Sequence, residues 1–204
     1  MLDAILGQSP VVRRIQLNSA RILYSIGLTA DRATIAAAII GVLAGVAFAM
    51  ERVGPGIALL AISAAFDALD GTLAREFDGA STPFGGVMDL CFDRVVEVAV
   101  IIGIVWHHRE LDFYALALVA SWYVNITVFL AVGAAMERTG PKLIDYPPGI
   151  LERTEALIFF AVLALAESTH IIWIGPVLCL LMTALEIATG AQRFLFGRAQ
   201  LRKT

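Results

Sequence analysis

Four aspartates occur in two pairs within a 27-residue stretch of the chain. Asp67 and Asp70 are three residues apart, and Asp89 and Asp93 are four apart. Either spacing brings both carboxylates of a pair onto one face of a helix. Carboxylates gathered in this way repel one another unless a cation lies between them. Oxygen ligands favour a hard ion such as Mg²⁺, Mn²⁺ or Ca²⁺ over zinc. The pattern predicts metal-dependent phosphate chemistry, and a proton or cation path or polar contacts between helices are the alternatives.

The elements that must position these aspartates are membrane-spanning helices. Hydrophobic residues make up 59% of the 204 residues and charged residues 16%, and the mean hydropathy is +0.80. A membrane span needs about 20 apolar residues, so the chain has room for six spans with short loops. We expect an all-α polytopic integral membrane protein. The composition excludes a disordered chain and a nucleic-acid binder with a basic face.

Breaks in the apolar pattern predict where the six spans lie. Residues 9–25 place arginines between apolar positions, as in an amphipathic helix that lies on the membrane surface. We expect this helix within an N-terminal juxtamembrane segment, residues 1–32, followed by a six-helix membrane domain, 33–197, and a basic tail, 198–204. The predicted spans cover residues 33–50, 57–75, 84–106, 113–136, 150–166 and 171–196.

The distribution of basic residues predicts the orientation in the membrane. With six spans, both termini lie on one side, and 13 of the 15 Lys and Arg residues fall on that side; the exceptions are Arg52 and Arg109. Since basic residues are retained in the cytoplasm, both termini and the aspartates are expected at the cytoplasmic face of an inner or plasma membrane.

The residues around the aspartates form a longer motif. The run from Asp67 to Arg75 reads DALDGTLAR, and Gly85, Asp89 and Asp93 follow at fixed intervals. This resembles the signature of the CDP-alcohol phosphotransferase family, DxxDGxxAR followed by GxxxDxxxD. All eight fixed positions match. The chain is therefore identified as similar to that family over nearly its whole length.

The resemblance implies a reaction and a set of site residues. Members move a phosphatidyl-type group from a CDP-linked lipid such as CDP-diacylglycerol to an alcohol and release CMP. Carried over, Asp67, Asp70 and Asp89 hold Mg²⁺ or Mn²⁺, with two ions expected, and Asp93 is the catalytic base and a further metal ligand. The relatives are homodimers of six-span bundles. The residues expected against the CDP-lipid are Gly71, Ala74, Arg75 and Gly85.

The identity of the acceptor alcohol depends on basic residues outside the signature. Lys142, Arg153 and Arg193 come from three separate segments on the expected cytoplasmic side, and together they could bind a phosphate. The segment from Gly149 to Glu155, GILERTE, is similar to a stretch in members that use inositol phosphate. We expect a phosphorylated polyol such as inositol phosphate. Glycerol 3-phosphate, serine and inositol are the alternative acceptors, and binding of anionic lipid headgroups is the alternative role of the three cations.

Other protein classes would also use acids within a membrane. A proton or cation transporter explains buried carboxylates but not the Gly-x-x-Ala-Arg spacing after Asp70. An intramembrane aspartyl protease commonly has a Gly-x-Gly-Asp run, and the sequence before Asp89 does not supply it.

Overall fold

A computed structural model of the chain describes residues 9–79, 82–137, 150, 153–169 and 171–202, with no side chain described at 137. Within these ranges the chain is helical and has no β-strand. The helices are α1 (Pro10–Ser25), α2 (Ala30–Ala49), α3 (Val53–Glu76), α4 (Pro83–Val105), α5 (Asp112–Glu137), α6 (Arg153–Ser168) and α7 (Ile174–Leu201), and a 3₁₀ turn, Arg109–Leu111, precedes α5.

The predicted amphipathic segment is the helix α1. Its buried residue, Ala20, packs with Ala33 of α2 and Leu73 of α3. Val11, Ile15 and Ile22 are exposed on the same helix. The helix itself is thus confirmed, and its position on a membrane surface stays a prediction.

Helix α2 packs against both α3 and α4, and these three helices form one group. Gly41 and Gly45 of α2 allow the closest approach: a side chain at Gly41 would overlap Val96, and one at Gly45 would overlap the backbone of Ala99. Gly103 of α4 in turn meets the backbone of Gly45. Small residues at such crossings let helix backbones come together, so the Gly41–Gly45 pair serves packing within the chain.

Helix α6 links this group to the remaining helices. It contacts α3 and α4 on one side and α7 on the other, and α7 packs along α5. The core at this junction contains Trp122 and Phe160, whose rings meet edge to face at 5.8 Å. The first residue of α6, Arg153, lies beside the aspartate-bearing helices α3 and α4.

Four helical stretches are long and apolar enough to cross a membrane: Ala30–Ala49, Val53–Glu76, Arg109–Met136 and Ile174–Leu201. The other two predicted spans correspond to α4, which carries four charged residues, and to α6, which has 16 residues. Helix α4 falls outside this group because it contains Asp89, Asp93, Arg94 and Glu97.

The crossing of α2 and α4 yields a stability prediction. Gly103→Ala introduces a methyl group against the backbone of Gly45, and such overpacking costs about 1–3 kcal/mol. The thermal unfolding midpoint of the purified protein in detergent is expected to fall. Gly54→Ala is the matched control, because a side chain there meets nothing within 4 Å. Equal midpoints for the two variants would contradict the close crossing.

Candidate metal and phosphate site

Three of the four signature aspartates converge at one point between α3 and α4. Oxygen atoms of Asp67, Asp89 and Asp93 all lie within 4.8 Å of one another. Asp67 and Asp93 are mostly buried, with side chains 18% and 13% exposed, whereas Asp89 is 46% exposed. The predicted helix-face spacing therefore brings carboxylates of two helices together, and Asp89 is the member that faces outward.

This aspartate cluster has the chemistry of a divalent metal site. All its donors are carboxylate oxygens, the ligand type that Mg²⁺ and Mn²⁺ prefer. Asp89 Oδ1 is buried and accepts no hydrogen bond from any residue that the structure describes. A buried carboxylate oxygen without a donor is costly unless a cation satisfies it. The residues fit a divalent ion, and Asp67, Asp89 and Asp93 are those that would hold it.

A guanidinium group also enters the aspartate cluster. Arg153, the first residue of α6, forms an ion pair through Nη1 with Asp67 and a second with Asp93 at 2.5 Å. The same nitrogen lies 3.7 Å from Asp89 Oδ1. The Arg153 side chain is 20% exposed, so a largely buried cation joins three carboxylates. Sequence reasoning placed Arg153 at an acceptor phosphate and did not foresee these ion pairs.

Asp70 lies apart from the three clustered aspartates. Its Oδ2 accepts a hydrogen bond from Thr34 of α2 at 2.6 Å. It lines a cavity of about 370 Å³, here called the Asp70 cavity. This volume lies within the range of about 300–1,000 Å³ that is usual for pockets of small organic ligands. Asp89 lines the same cavity, which thus adjoins the aspartate cluster.

The signature's small residues line the Asp70 cavity. Gly71 and Ala74 of α3 and Gly85 of α4 all border it. Thr82 fixes the start of α4, because its hydroxyl accepts a hydrogen bond from the Gly85 amide at 2.9 Å. Arg75 does not line the cavity; its Nη1 would lie 3.0 Å from a side chain added at Gly71. Three of the four residues expected at the CDP-lipid thus border one cavity, and Arg75 lies beside it.

Two acidic residues outside the signature also border the Asp70 cavity. Asp31, at the start of α2, is exposed and lines it. Asp78 lines it as well, and its Oδ2 accepts a hydrogen bond from the Ala30 amide at 2.7 Å. Asp78 ties the segment after α3 to the start of α2, a role that its position in a loop did not indicate.

A second cavity lies on the other side of Arg153. It measures about 120 Å³ and is here called the Arg193 cavity. Arg153 and Arg193 both line it, so two of the three cations singled out in the sequence face one space. The third, Lys142, lies outside the described residues.

The walls of the Arg193 cavity form a polar network. Arg193 donates to Asn125 Oδ1 at 2.9 Å and stacks on Phe129, 5.0 Å from the ring centre. Asn125 Nδ2 donates to Glu186 at 2.5 Å. Glu186 is thereby a buried hydrogen-bond acceptor that orients the amide, and the amide in turn holds the guanidinium of Arg193.

Arg94 is a further cation in this cavity, and sequence reasoning did not select it. It lines the cavity and pairs with Glu97 at 2.7 Å. Its Nε is buried and makes no hydrogen bond to a described residue. The available signal was a charged residue inside a predicted membrane span, which by default marks function.

A different group of potential ligands lies at the opposite end of the helices. His108, Glu110 and Glu167 have ligand atoms within 4.8 Å of one another, and His108 Nδ1 lies 3.1 Å from Glu167. His108 and Glu167 line a cavity of about 240 Å³. This group belongs to the far ends of α4 and α6, so it takes no part in the aspartate cluster.

Residues 28–188 match the sequence profile of the CDP-alcohol phosphatidyltransferase family. A phosphatidylinositol phosphate synthase of Mycobacterium marinum is 34% identical over 184 residues, which cover 85% of this chain and 75% of that protein.

Two crystal structures of the Mycobacterium tuberculosis phosphatidylinositol phosphate synthase also resemble this chain. One, with CDP-DAG bound, is 29% identical with a TM-score of 0.66 and covers 88% of this chain and 90% of that one. The other, in complex with manganese and citrate, is 27% identical with a TM-score of 0.71 and covers 89% and 88%.

The aspartate cluster predicts divalent-metal binding in the absence of substrates. Asp89→Asn removes a carboxylate that is not hydrogen-bonded within the described residues, so Mn²⁺ loses a negatively charged ligand. Loss of even an outer partner of a metal site costs about 10- to 100-fold in affinity, and we expect at least about tenfold weaker binding here. Electron paramagnetic resonance of free Mn²⁺ measures it. Asp112→Asn, an exposed aspartate at the start of α5, is the control; equal weakening in both variants would argue against the cluster.

Proposed function

Because this chain belongs to the CDP-alcohol phosphatidyltransferase family, we propose that it transfers a phosphatidyl group from CDP-diacylglycerol to an inositol phosphate and releases CMP. The observation that carries this proposal is the order of three adjoining features. The aspartate cluster has the acidic Asp70 cavity on one side and the arginine-lined Arg193 cavity on the other. A donor and a phosphorylated acceptor can therefore approach the same carboxylates from two directions.

The Asp70 cavity suits the donor. Its small residues leave room for a nucleotide close to the helix backbones. Its acidic residues can lie beside a diphosphate only when a cation lies between the two. The relative with CDP-DAG bound supports this assignment. Divalent metal at the aspartates supplies positive charge to the diphosphate when bound. We assign Mg²⁺ or Mn²⁺ to the site, two ions in all, with Asp70 as the ligand nearest the nucleotide, and the manganese complex of the same relative supports this choice.

The chain's own residues then account for the chemical step. A hydroxyl oxygen of the acceptor attacks the phosphorus that carries the diacylglycerol. The bond from that phosphorus to the bridging oxygen of the diphosphate breaks, and CMP leaves with that oxygen. Asp93 takes the hydroxyl proton. Asp93 lies on the α4 face that points to Arg153, so the proposed base is in contact with an arginine that lines the Arg193 cavity.

The Arg193 cavity suits the phosphate of the acceptor. Guanidinium groups match phosphate oxygens with paired hydrogen bonds, and Arg94, Arg153 and Arg193 all face this cavity. Its small volume, about 120 Å³, suits a compact polar group rather than a lipid chain. We assign Lys142, which lies between α5 and α6 in the sequence, to the same phosphate.

The proposed setting is a membrane with the site at its cytoplasmic face. Four apolar helices of spanning length and the family make the chain a membrane protein. We assign six spans, α2 to α7, with α1 on the surface, and both termini in the cytoplasm. The assembly is proposed to be a homodimer in the membrane.

The decisive experiment supplies CDP-diacylglycerol and Mg²⁺ with a panel of acceptors and measures CMP release. Inositol phosphate is expected to give the highest kcat/KM, ahead of glycerol 3-phosphate, inositol and serine. Asp93→Asn is the matched inactive variant, since loss of a general base costs about 10²–10⁴ in rate, while CDP-lipid binding persists. A preference for inositol over inositol phosphate would reject the phosphate acceptor. A lack of CMP with every alcohol, together with ion flux through proteoliposomes, would favour a transporter.

Arg193 gives a separate prediction about the acceptor. Arg193→Gln removes a charge-assisted contact worth about 1.5–3 kcal/mol, so the acceptor KM is expected to rise roughly 10- to 150-fold. The donor KM is expected to stay constant, because the donor occupies the other cavity. Arg198→Gln, an exposed arginine one turn further along α7, is the control. If the loss of activity varied equally with the anionic lipid content of the vesicles in both variants, we would conclude that these arginines bind lipid headgroups.

A further inference from the structure

We infer that Arg153 and divalent metal compete for the same carboxylates, and that metal binding releases Arg153 into the Arg193 cavity, where it completes the acceptor site. The competition depends only on the aspartate cluster. The gain of an acceptor contact rests on the proposed function.

The geometry of one nitrogen atom is the starting point. Nη1 of Arg153 is within ion-pair distance of Oδ1 atoms from Asp67, Asp89 and Asp93. The same three residues have oxygens close enough together to share a single ion. A guanidinium nitrogen and a metal ion that use the same oxygens repel each other strongly in a buried setting. The two cations therefore exclude each other from the centre of the cluster.

The charges favour the metal as the final occupant. Three carboxylates carry three negative charges, and Arg153 supplies one positive charge. Asp89 Oδ1 stays without a hydrogen bond from the described residues even though Arg153 is close. The guanidinium thus compensates the cluster only in part. It can keep the helices α3 and α4 together and still give way to an ion of higher charge.

Because Arg153 lies at the start of α6, its guanidinium needs a nearby anion after it leaves the aspartates. The amino end of a helix carries partial positive charge, so a cation there is unfavourable unless an anion faces it. The aspartates supply that anion in the structure. Once a metal takes the aspartates, a phosphate is the group that can replace them, and the long arginine side chain already lines the Arg193 cavity.

Release of Arg153 also changes the charge of the Arg193 cavity. Without Arg153, formal charges of two arginines, Arg94 and Arg193, face two acids, Glu97 and Glu186. These four charges cancel. With Arg153 added and no longer paired to aspartates, the cavity has one excess positive charge. The affinity for an anionic acceptor is therefore coupled to metal binding at the aspartates, so a site without metal and donor captures the acceptor poorly.

Metal titration without substrates tests the competition. Arg153→Gln removes the competitor, and Mn²⁺ is expected to bind more tightly to this variant than to the unaltered protein. Couplings between sites are typically about 5- to 150-fold, and we expect a gain in that range. Arg193→Gln is the matched control: it removes the same charge from the same cavity, yet Arg193 contacts Asn125 and Phe129 instead of the aspartates. Equal or weaker Mn²⁺ binding by Arg153→Gln, or an equal gain in both variants, would overturn the inference.

A second measurement uses the unaltered protein, so it does not depend on the folding of a variant. Phenylglyoxal modifies accessible arginines, and mass spectrometry quantifies the modification at each residue. Addition of Mn²⁺ alone is expected to increase modification of Arg153, because its guanidinium leaves the carboxylates. Arg52, exposed at the opposite end of the helices, is the internal standard for the reagent. Constant or decreased modification of Arg153 would show that metal and arginine occupy the cluster together.

The outcome of these experiments is separable from that of the function assay. Tighter Mn²⁺ binding by Arg153→Gln together with no transfer to inositol phosphate would support competition between Arg153 and metal. The same result would reject inositol phosphate as the acceptor. Where inositol phosphate does bind, Mn²⁺ is expected to strengthen its binding to the unaltered protein about 5- to 150-fold and to leave Arg153→Gln unaffected. An equal effect of Mn²⁺ in both would remove Arg153 as the link between the two sites.

Discussion

Repulsion among carboxylates in an apolar helix bundle is the constraint on which the rest of the structure depends. Asp67, Asp89 and Asp93 share one point between α3 and α4, where the surrounding residues offer little solvation. Like charges in such surroundings separate the helices unless cations join them. The helix α6 supplies one cation through Arg153, and the remaining negative charge attracts divalent metal. A feature that opposes folding in the absence of a cation is thus the same feature to which the proposed function assigns the donor diphosphate.

Close packing elsewhere allows α3 and α4 to hold these charges. The glycines at the crossing of α2 and α4 bring the backbones into contact, and the Ser63 hydroxyl of α3 donates to the Ala37 carbonyl of α2 at 2.7 Å. Dispersion contacts and hydrogen bonds of this kind act between membrane helices, where lipid offers no hydrophobic driving force. The contacts lie toward the middle and far end of the helices. The end with the aspartates is therefore free to keep the small residues and open cavities that substrates need.

The sequence predicted the helices and the convergence of three of the four aspartates, because both follow from local rules. Spacings of three and four residues determine a helix face, and the length of an apolar stretch determines a span. Other features depend on contacts between distant segments. The ion pair between Arg153 and Asp67 joins residues 86 positions apart, and the link from Ala30 to Asp78 spans 48 positions. Arg94 was not selected as a site residue from the sequence, because its role depends on the cavity that it lines. The separation of Asp70 from its helix partner Asp67 comes from Thr34 on another helix, which no spacing within α3 reveals.

The two cavities differ in charge, and under the proposed function this difference would keep two phosphate-bearing substrates apart. Acids border the Asp70 cavity, including Asp31, Asp70 and Asp78, so an anion enters it only in the company of metal. Three arginines border the Arg193 cavity, so the phosphate of the proposed acceptor would bind there through hydrogen bonds from the protein itself once Arg153 has left the aspartates. A phosphorylated acceptor that entered the Asp70 cavity alone would meet uncompensated carboxylates, and such repulsion adds to the specificity that attraction provides. The aspartate cluster adjoins the two cavities through Asp89 and Arg153, so the proposed base Asp93 would lie close to donor and acceptor alike.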